Sequence, residues 1–276
     1  NEETMNNHPG YILRLKIYQP QAHYRIPFTY QRRHTYPLPP YSTVIGFLCN
    51  LLGFDGLPAE YEDLMKIKIS IAGRFESKTT EYIWFRNLSK EAHLKRFGSI
   101  ANRSFAGHVE HIGGQSPVLI DVLNNVYLVI YLAHEKESFL KEIHSLIENP
   151  VRRLEILHLG RAEDWIVLDS LSSVFPISQL SLKREDADFK HFFWIPEKIY
   201  RPNLYENISD FEEMKGLQYK LPTFWTVEDY DRTSNRHGKR IFEYIKVKLN
   251  AGLFTHKKFL FDEECHLPIF LADFGG

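Results

Sequence analysis

The chain has 276 residues, 43% hydrophobic and 14% aromatic, with 34 Lys+Arg against 35 Asp+Glu and a formal net charge of -1. Its mean hydropathy of -0.33 excludes a disordered or fibrous chain and describes a globular protein long enough to bury its own core. Only Cys49 and Cys265 are present, which excludes a disulfide framework and a cysteine-rich zinc site; with no run of about 18 apolar residues and no leader-like start, the expectation is a soluble cytoplasmic protein.

Residues Asn1 to Thr4 precede Met5 and are set aside. Tyr11 to Tyr18 alternates Leu13, Leu15 and Ile17 with Arg14, Lys16 and Tyr18, the period-two pattern of a strand with one buried face. Ser42 stands at the N-cap position of a predicted helix that carries Val44, Ile45, Phe47, Leu48, Leu51 and Leu52 on its apolar face and closes at Gly53. Lys66 to Phe75 alternates again. Val118 to Leu123 and Val126 to Leu132 are apolar, β-branched runs joined by Asn124 and Asn125, which predicts a tight hairpin. Glu135 to Asn149 spaces Phe139, Ile143, Leu146 and Ile147 helically, and Pro150 ends it. Trp165 to Leu171 reads as a last apolar strand.

This order is close to βαββαβ, so the predicted fold is α+β, a ferredoxin-like arrangement with helices on one face of an antiparallel sheet. The stretch between Phe75 and Val118 is far longer than a turn requires and carries Tyr82, Trp84, Phe85, Phe97 and Phe105; it reads as an inserted hairpin or thumb at about 76–117. The palm then occupies 5–176, and 177–276 forms a smaller strand-rich region after a Pro- and aromatic-rich linker near Phe192 to Pro202.

Charge is unevenly spread. Tyr11 to Phe54 holds Arg14, Lys16, Arg25, Arg32 and Arg33 with no acid; Arg86 to Val109 holds Arg86, Lys90, Lys95, Arg96 and Arg103 against Glu91; Arg232 to Phe261 is similarly basic, with Lys246, Lys248, Lys257 and Lys258 in its second half. Glu206 to Asp231 is acidic. Such segregation suggests a polyanion-facing side on a neutral whole, or merely clustered solvated charge.

The segment from Tyr24 to Gly46 brings Arg32, Arg33 and His34 to a predicted helix N-terminus, where Ser42, Thr43 and the first N–H groups suit an anion. Its plainer reading is a capped Pro-rich loop. The string Tyr36-Pro-x-Pro-Pro-x-Ser-Thr-x-x-Gly46 and the later Leu159-Gly-Arg-Ala-Glu-Asp164 resemble the Cas-five family of CRISPR-associated subunits in the RAMP superfamily, most of all its type I-B (Tneap-like) branch, over residues 11 to about 175. The resemblance implies an RRM-like, RAMP palm with a β-hairpin thumb. It also implies a non-catalytic subunit of a type I Cascade complex in antiviral defence, which caps the 5′ handle of the crRNA and docks against the backbone subunit and the large PAM-reading subunit near the PAM-proximal end of target DNA. On this reading Arg32, Arg33, His34, Tyr36, Ser42 and Thr43 hold the handle, Lys95, Arg96, Arg103 and His108 grip it from the thumb, and Tyr36, Phe97 or Phe105 stack on bases.

Arg161 is a further candidate RNA contact, although a salt bridge to a neighbouring carboxylate explains it equally; Glu163 and Asp164 beside it would serve an acid–base reading. His108 and His111 lack the companions of a metal site, and no cofactor motif occurs. Two other functions stay open: a metal-independent endoribonuclease like the type I-C branch, drawing on His23, Tyr24, Tyr30, His34, Lys95 and His108, and a protein-only adaptor binding acidic partners.

Overall fold

The computed structural model describes residues 10–27, 29, 31–86, 94–95, 98–99, 104–105, 108–109, 115–183, 190–200, 210–228, 239–251 and 259–274. The first half contains β1 (Tyr11–Ala22), β2 (Arg32–Arg33), α1 (Tyr41–Leu52), α2 (Glu62–Met65), β3 (Lys68–Arg86), β4 (Ser104–Phe105), β5 (His108–Val109), β6 (Gln115–His134) and α3 (Glu137–Glu148). The second contains β7 (Val167–Leu171), β8 (Phe175–Pro176), β9 (Ser181–Lys183), β10 (Phe192–Pro196), α4 (Asp210–Glu213), β11 (Leu217–Glu228), β12 (Lys239–Asn250), β13 (Phe259–Asp262) and β14 (Leu267–Ile269).

The chain is an α+β protein built on a large sheet in the order β11-β12-β10-β3-β6-β1-β7, with β2 added to β6 and β8 to β1. Neighbours on this path for which a register is given pair antiparallel, whereas β2 lies parallel to β6. Leu13, Leu15 and Ile17 of β1, Ile69 and Ile71 of β3, and Leu128, Ile130 and Leu132 of β6 share one buried cluster with the apolar faces of α1 and α3. Their alternates Ile12, Ala72, Val129 and Tyr131 belong to a second cluster with β13 and β14. Each strand centre is therefore covered on both faces, and each large apolar side chain so buried contributes about 1.5–3 kcal/mol.

Several predicted boundaries move. Pro40, not Ser42, caps α1, because its extended backbone (φ -68°, ψ 159°) turns its carbonyl to accept from Thr43 and Val44; Ser42 is already helical. Gly53 ends α1 as expected, at φ 73°, where a Cβ would sit 2.6 Å from the Arg152 carbonyl oxygen. The predicted hairpin at Asn124–Asn125 does not form. Both apolar runs belong to the single strand β6, since β3 pairs along all of it from Lys68↔Ala133 to Arg86↔Gln115 in one register. Asn125 adopts the positive φ (52°) that suggested a turn, but within the strand.

β7 starts at Val167 rather than Trp165 and is largely exposed, as an outermost strand can be. The predicted linker near Phe192 is instead β10, a buried strand joining β3 to β12, so the C-terminal strands extend the first sheet. The Trp194 indole there donates to the Pro39 carbonyl at 3.0 Å, fastening the Pro-rich segment to the C-terminal third. Among the described residues no helix is long and apolar enough to cross a membrane.

Candidate nucleic-acid interface

The loop between β1 and α1 folds back on itself. Tyr36 N–H donates to the Tyr24 carbonyl at 2.7 Å and Ile26 N–H to that of His34 at 2.9 Å, so Arg32 and Arg33 are carried onto β6 opposite Leu119 and Ile120. Tyr36 is thereby removed from the candidate contacts: it is 4% exposed and meets Trp194 and Tyr219 edge to face. Burial pushes its hydroxyl up to about 12. The motif's aromatic is a core residue, because the prolines that follow direct the chain beneath β10 and β11.

Asp121 gathers much of the expected phosphate-binding charge. Its carboxylate is 1% exposed and lies 2.9 Å from His34 Nδ1, 3.1 Å from Thr80 Oγ1, 3.4 Å from Lys78 Nζ and 3.5 Å from an Arg32 Nη. Burial alone would raise its pKa, but the hydrogen bonds from His34, Thr80 and Lys78 outweigh it and hold the carboxyl at about 2. Arg32 and His34 are consequently tied to an internal anion. The His34 side chain remains 46% exposed.

The Leu159–Asp164 segment is a structural turn. Asp164, 1% exposed, accepts from the N–H groups of His23 and Arg161 at 2.9 and 2.7 Å. The Arg161 guanidinium lies against the same carboxylate at 2.8–3.2 Å and reaches Glu81 at 3.4 Å. Gln19 donates to the carbonyls of Leu159 and Asp164, both at 2.9 Å, and accepts from the Tyr24 hydroxyl. Gly160 at φ 109° fits here because a Cβ would come 2.7 Å from Asp164 Oδ2 and 2.9 Å from the His23 carbonyl. Arg161 thus bridges Asp164 and Glu81 at the edge of a cleft that it also lines, and Asp164 accepts from backbone N–H groups and the Arg161 guanidinium at the turn.

Between this turn, the β3–β6 ribbon and the start of α1 lies a cleft of about 460 Å³ lined by Arg25, Arg33, Ser42, Thr43, Phe85 and Phe242, among others. The Arg33 guanidinium stands 4.1 Å over the Phe85 ring. Pro40, Ser42 and Thr43, at the start of α1, line the same space. Ser42 and Thr43 also line a larger groove, about 800 Å³, that runs along α1 past Asn50 and Trp225.

Of the predicted contacts, the cleft unites Arg33, Ser42, Thr43 and Arg161. Lys95 is exposed elsewhere, Arg96 and Arg103 lie outside the described residues, and only the backbone of His108 is described, in the short hairpin β4–β5. Phe97, His111 and Tyr30 are likewise outside, as is the side chain of Phe105. Arg25, Phe85 and Asp121 went unnamed as site residues. A single carboxylate inside the apolar run Val118 to Leu123 was the available signal for Asp121, since such a group is buried only when paired. Among the described residues no cluster of His, Cys, Asp and Glu suits a metal ion.

The fold is thus a largely antiparallel α+β sheet with an arginine-lined cleft beside the start of α1. The family model described as CRISPR-associated protein (Cas_Cas5) matches residues 12–248, and the chain belongs to that family. No curated protein matches the sequence. In fold, the chain is similar to a chain of a solved "CRISPR RNA-guided surveillance complex", with TM-score 0.50 and 14% identity over 87% of this chain and 89% of that one. It is also similar to a "Crystal structure of Cas protein", with TM-score 0.42 and 13% identity over 86% and 95% of the two chains.

Proposed function

We propose that this chain is a non-catalytic, RNA-capping subunit of a type I CRISPR effector complex, of the I-B kind, that holds the 5′ handle of the guide RNA in the cleft at the start of α1. The observation that carries this reading is the convergence of Arg25, Arg33 and the first turn of α1 on one cleft walled by Phe85 and Phe242. Cations and backbone N–H groups suit phosphates there, and the rings suit a splayed base. Family membership and the likeness to a chain of a surveillance complex support a place in a ribonucleoprotein assembly. The path β1-α1-β3-β6-α3-β7 with strand order β7-β1-β6-β3 supports a ferredoxin-like palm, with the outer β3–β6 ribbon as the root of a thumb. The surfaces away from the cleft then dock on the backbone and large subunits, in the prokaryotic cytoplasm.

The test is titration of the full chain with repeat-derived RNA carrying the handle, in EDTA and at rising salt. Binding should weaken steeply with salt, fall in Arg25→Glu and Arg33→Glu, and leave the RNA uncut. Affinity that stays flat with salt overturns the reading in favour of a protein-only adaptor.

One observation favours a second reading. His34 presents a half-exposed imidazole oriented by the buried carboxylate of Asp121 at 2.9 Å, an arrangement that serves general acid–base chemistry on a 2′-hydroxyl. Its other candidates fare less well. Tyr24 is fully buried with its hydroxyl given to Gln19, and the His23 ring is buried with Nδ1 2.8 Å from the Asp121 carbonyl oxygen. Site-specific cutting of the repeat RNA in EDTA, lost in His34→Ala, would establish the endoribonuclease instead.

A further inference from the structure

Among the described residues, part of the large sheet has no cover on the face away from α1 and α3. Leu15 and Ile17 point into the helix-side core, so Lys16 and Tyr18 lie on the other face with Arg14. That face is covered at the Arg14 end, where Arg14 and Tyr131 both meet Asp262 of β13. Toward Tyr18 the cover ends: Lys16, Tyr18 and Tyr127 are half-buried and Arg74 is exposed.

One row of directly paired residues crosses four strands there, Val167 of β7, Tyr18 of β1, Tyr127 of β6 and Arg74 of β3. The two tyrosine rings lie 5.2 Å apart, centroid to centroid, and the Arg74 guanidinium stands 4.6 Å over the Tyr127 ring. The Tyr18 hydroxyl donates to Asn125 Oδ1 at 2.8 Å, and Asn125 in turn donates to Glu76 at 2.7 Å, which fixes the ring. Val167 is 49% exposed beside them.

We infer that this row is a second nucleic-acid contact, in which one or two unpaired bases stack on Tyr18 and Tyr127 while Arg74 and Lys16 meet the flanking phosphates. Adjacent aromatics on neighbouring strands of an antiparallel sheet are a platform on which unpaired bases stack. The cations bordering the row select a polyanion over an apolar partner. A protein partner for an aromatic patch of this kind would call for an apolar border, and the row instead carries Arg74 at one end with Lys16 beside Tyr18. The site lies on the sheet face and not in the cleft, so it stands whether or not the handle occupies the cleft.

The test uses the full chain and labelled oligouridine and oligothymidine that contain no handle sequence. Replacing both rings, Tyr18→Leu with Tyr127→Leu, should weaken binding about tenfold or more, while Tyr18→Phe with Tyr127→Phe should retain it, because the π-face and not the hydroxyl does the stacking. Arg74→Glu should weaken binding and lower the salt slope by about one. Preference for oligouridine names a guide-type RNA as the strand taken, preference for oligothymidine a displaced DNA strand, and either supports the platform. Unchanged affinity in the double Leu variant overturns it, as does equal loss in the double Phe variant. Handle RNA titrated in parallel separates the two sites: charge reversal at Arg25 and Arg33 should abolish handle binding and spare oligouridine.

Discussion

His34 Nδ1 lies 2.9 Å from Asp121 Oδ2, so one of the loop's basic residues faces an anion of the protein's own sheet. Arg32 and Lys78 approach the same carboxylate. The pairing separates Arg32 from Arg33, whose side chain lines the cleft and stacks over Phe85. Arg33→Glu is therefore expected to cost more RNA affinity than Arg32→Glu and to reduce the salt slope by about one, whereas Glu212→Lys with Glu213→Lys should leave binding intact. Equal effects of the Arg32 and Arg33 reversals in a salt titration would sink this distinction.

Asp121 also sets an acid limit on stability. Its folded pKa, about 2, lies below the ordinary value of 3.8, so its contribution is fully present above 3.8 and is lost as pH falls from there through about 2. With partners about half exposed, that contribution is at most about 2 kcal/mol. Asp121→Asn should lower the melting temperature at neutral pH and flatten the loss of stability between pH 4 and 2, read by acid unfolding followed by circular dichroism. A variant that keeps the wild-type acid profile contradicts the assignment.

The buried pair Arg14–Asp262, at 2.7 Å with both side chains 5% exposed, joins the first strand to β13 across the covered face. Removing one member strands the other. Arg14→Met should destabilise the chain by about 3–5 kcal/mol, and the double change Arg14→Met with Asp262→Leu should recover much of that loss in urea denaturation. Tyr131, which also donates to Asp262, makes the single Arg14 change less severe than loss of the carboxylate's whole shell.

Gly160→Ala places a Cβ against Asp164 and the His23 carbonyl at a φ of 109°. The expected loss is about 1–3 kcal/mol, with the Arg161–Asp164 contact released. If the role of the turn is structural, handle affinity measured well below the melting point should change far less than the melting temperature does.

Much of the fold was legible because local rules fixed it. The period-two pattern of β1 and the helical spacing of α1 and α3 name the faces that the core takes up. Where two readings shared one local signal, pairing decided: Asn124 and Asn125 look like a turn in isolation, yet β3 continues past them in register and draws both runs into one strand. Phe192 to Pro196 reads as a linker by composition and becomes a buried strand because β3 and β12 supply its hydrogen bonds.

The candidate site divides in the same way. Sequence alone placed the basic loop before a helix and singled out the Tyr36–Gly46 and Leu159–Asp164 segments, since spacing and residue type are local properties. Partnership is not local. Arg14 meets Asp262, Lys248 donates to the carbonyls of Phe211, Glu212 and Met214, and Arg32 and His34 meet Asp121, so several cations in the basic stretches serve the interior. Only the tertiary structure could assign them, because a cation is free for phosphate or committed to a carboxylate according to what long-range pairing brings within about 4 Å of it.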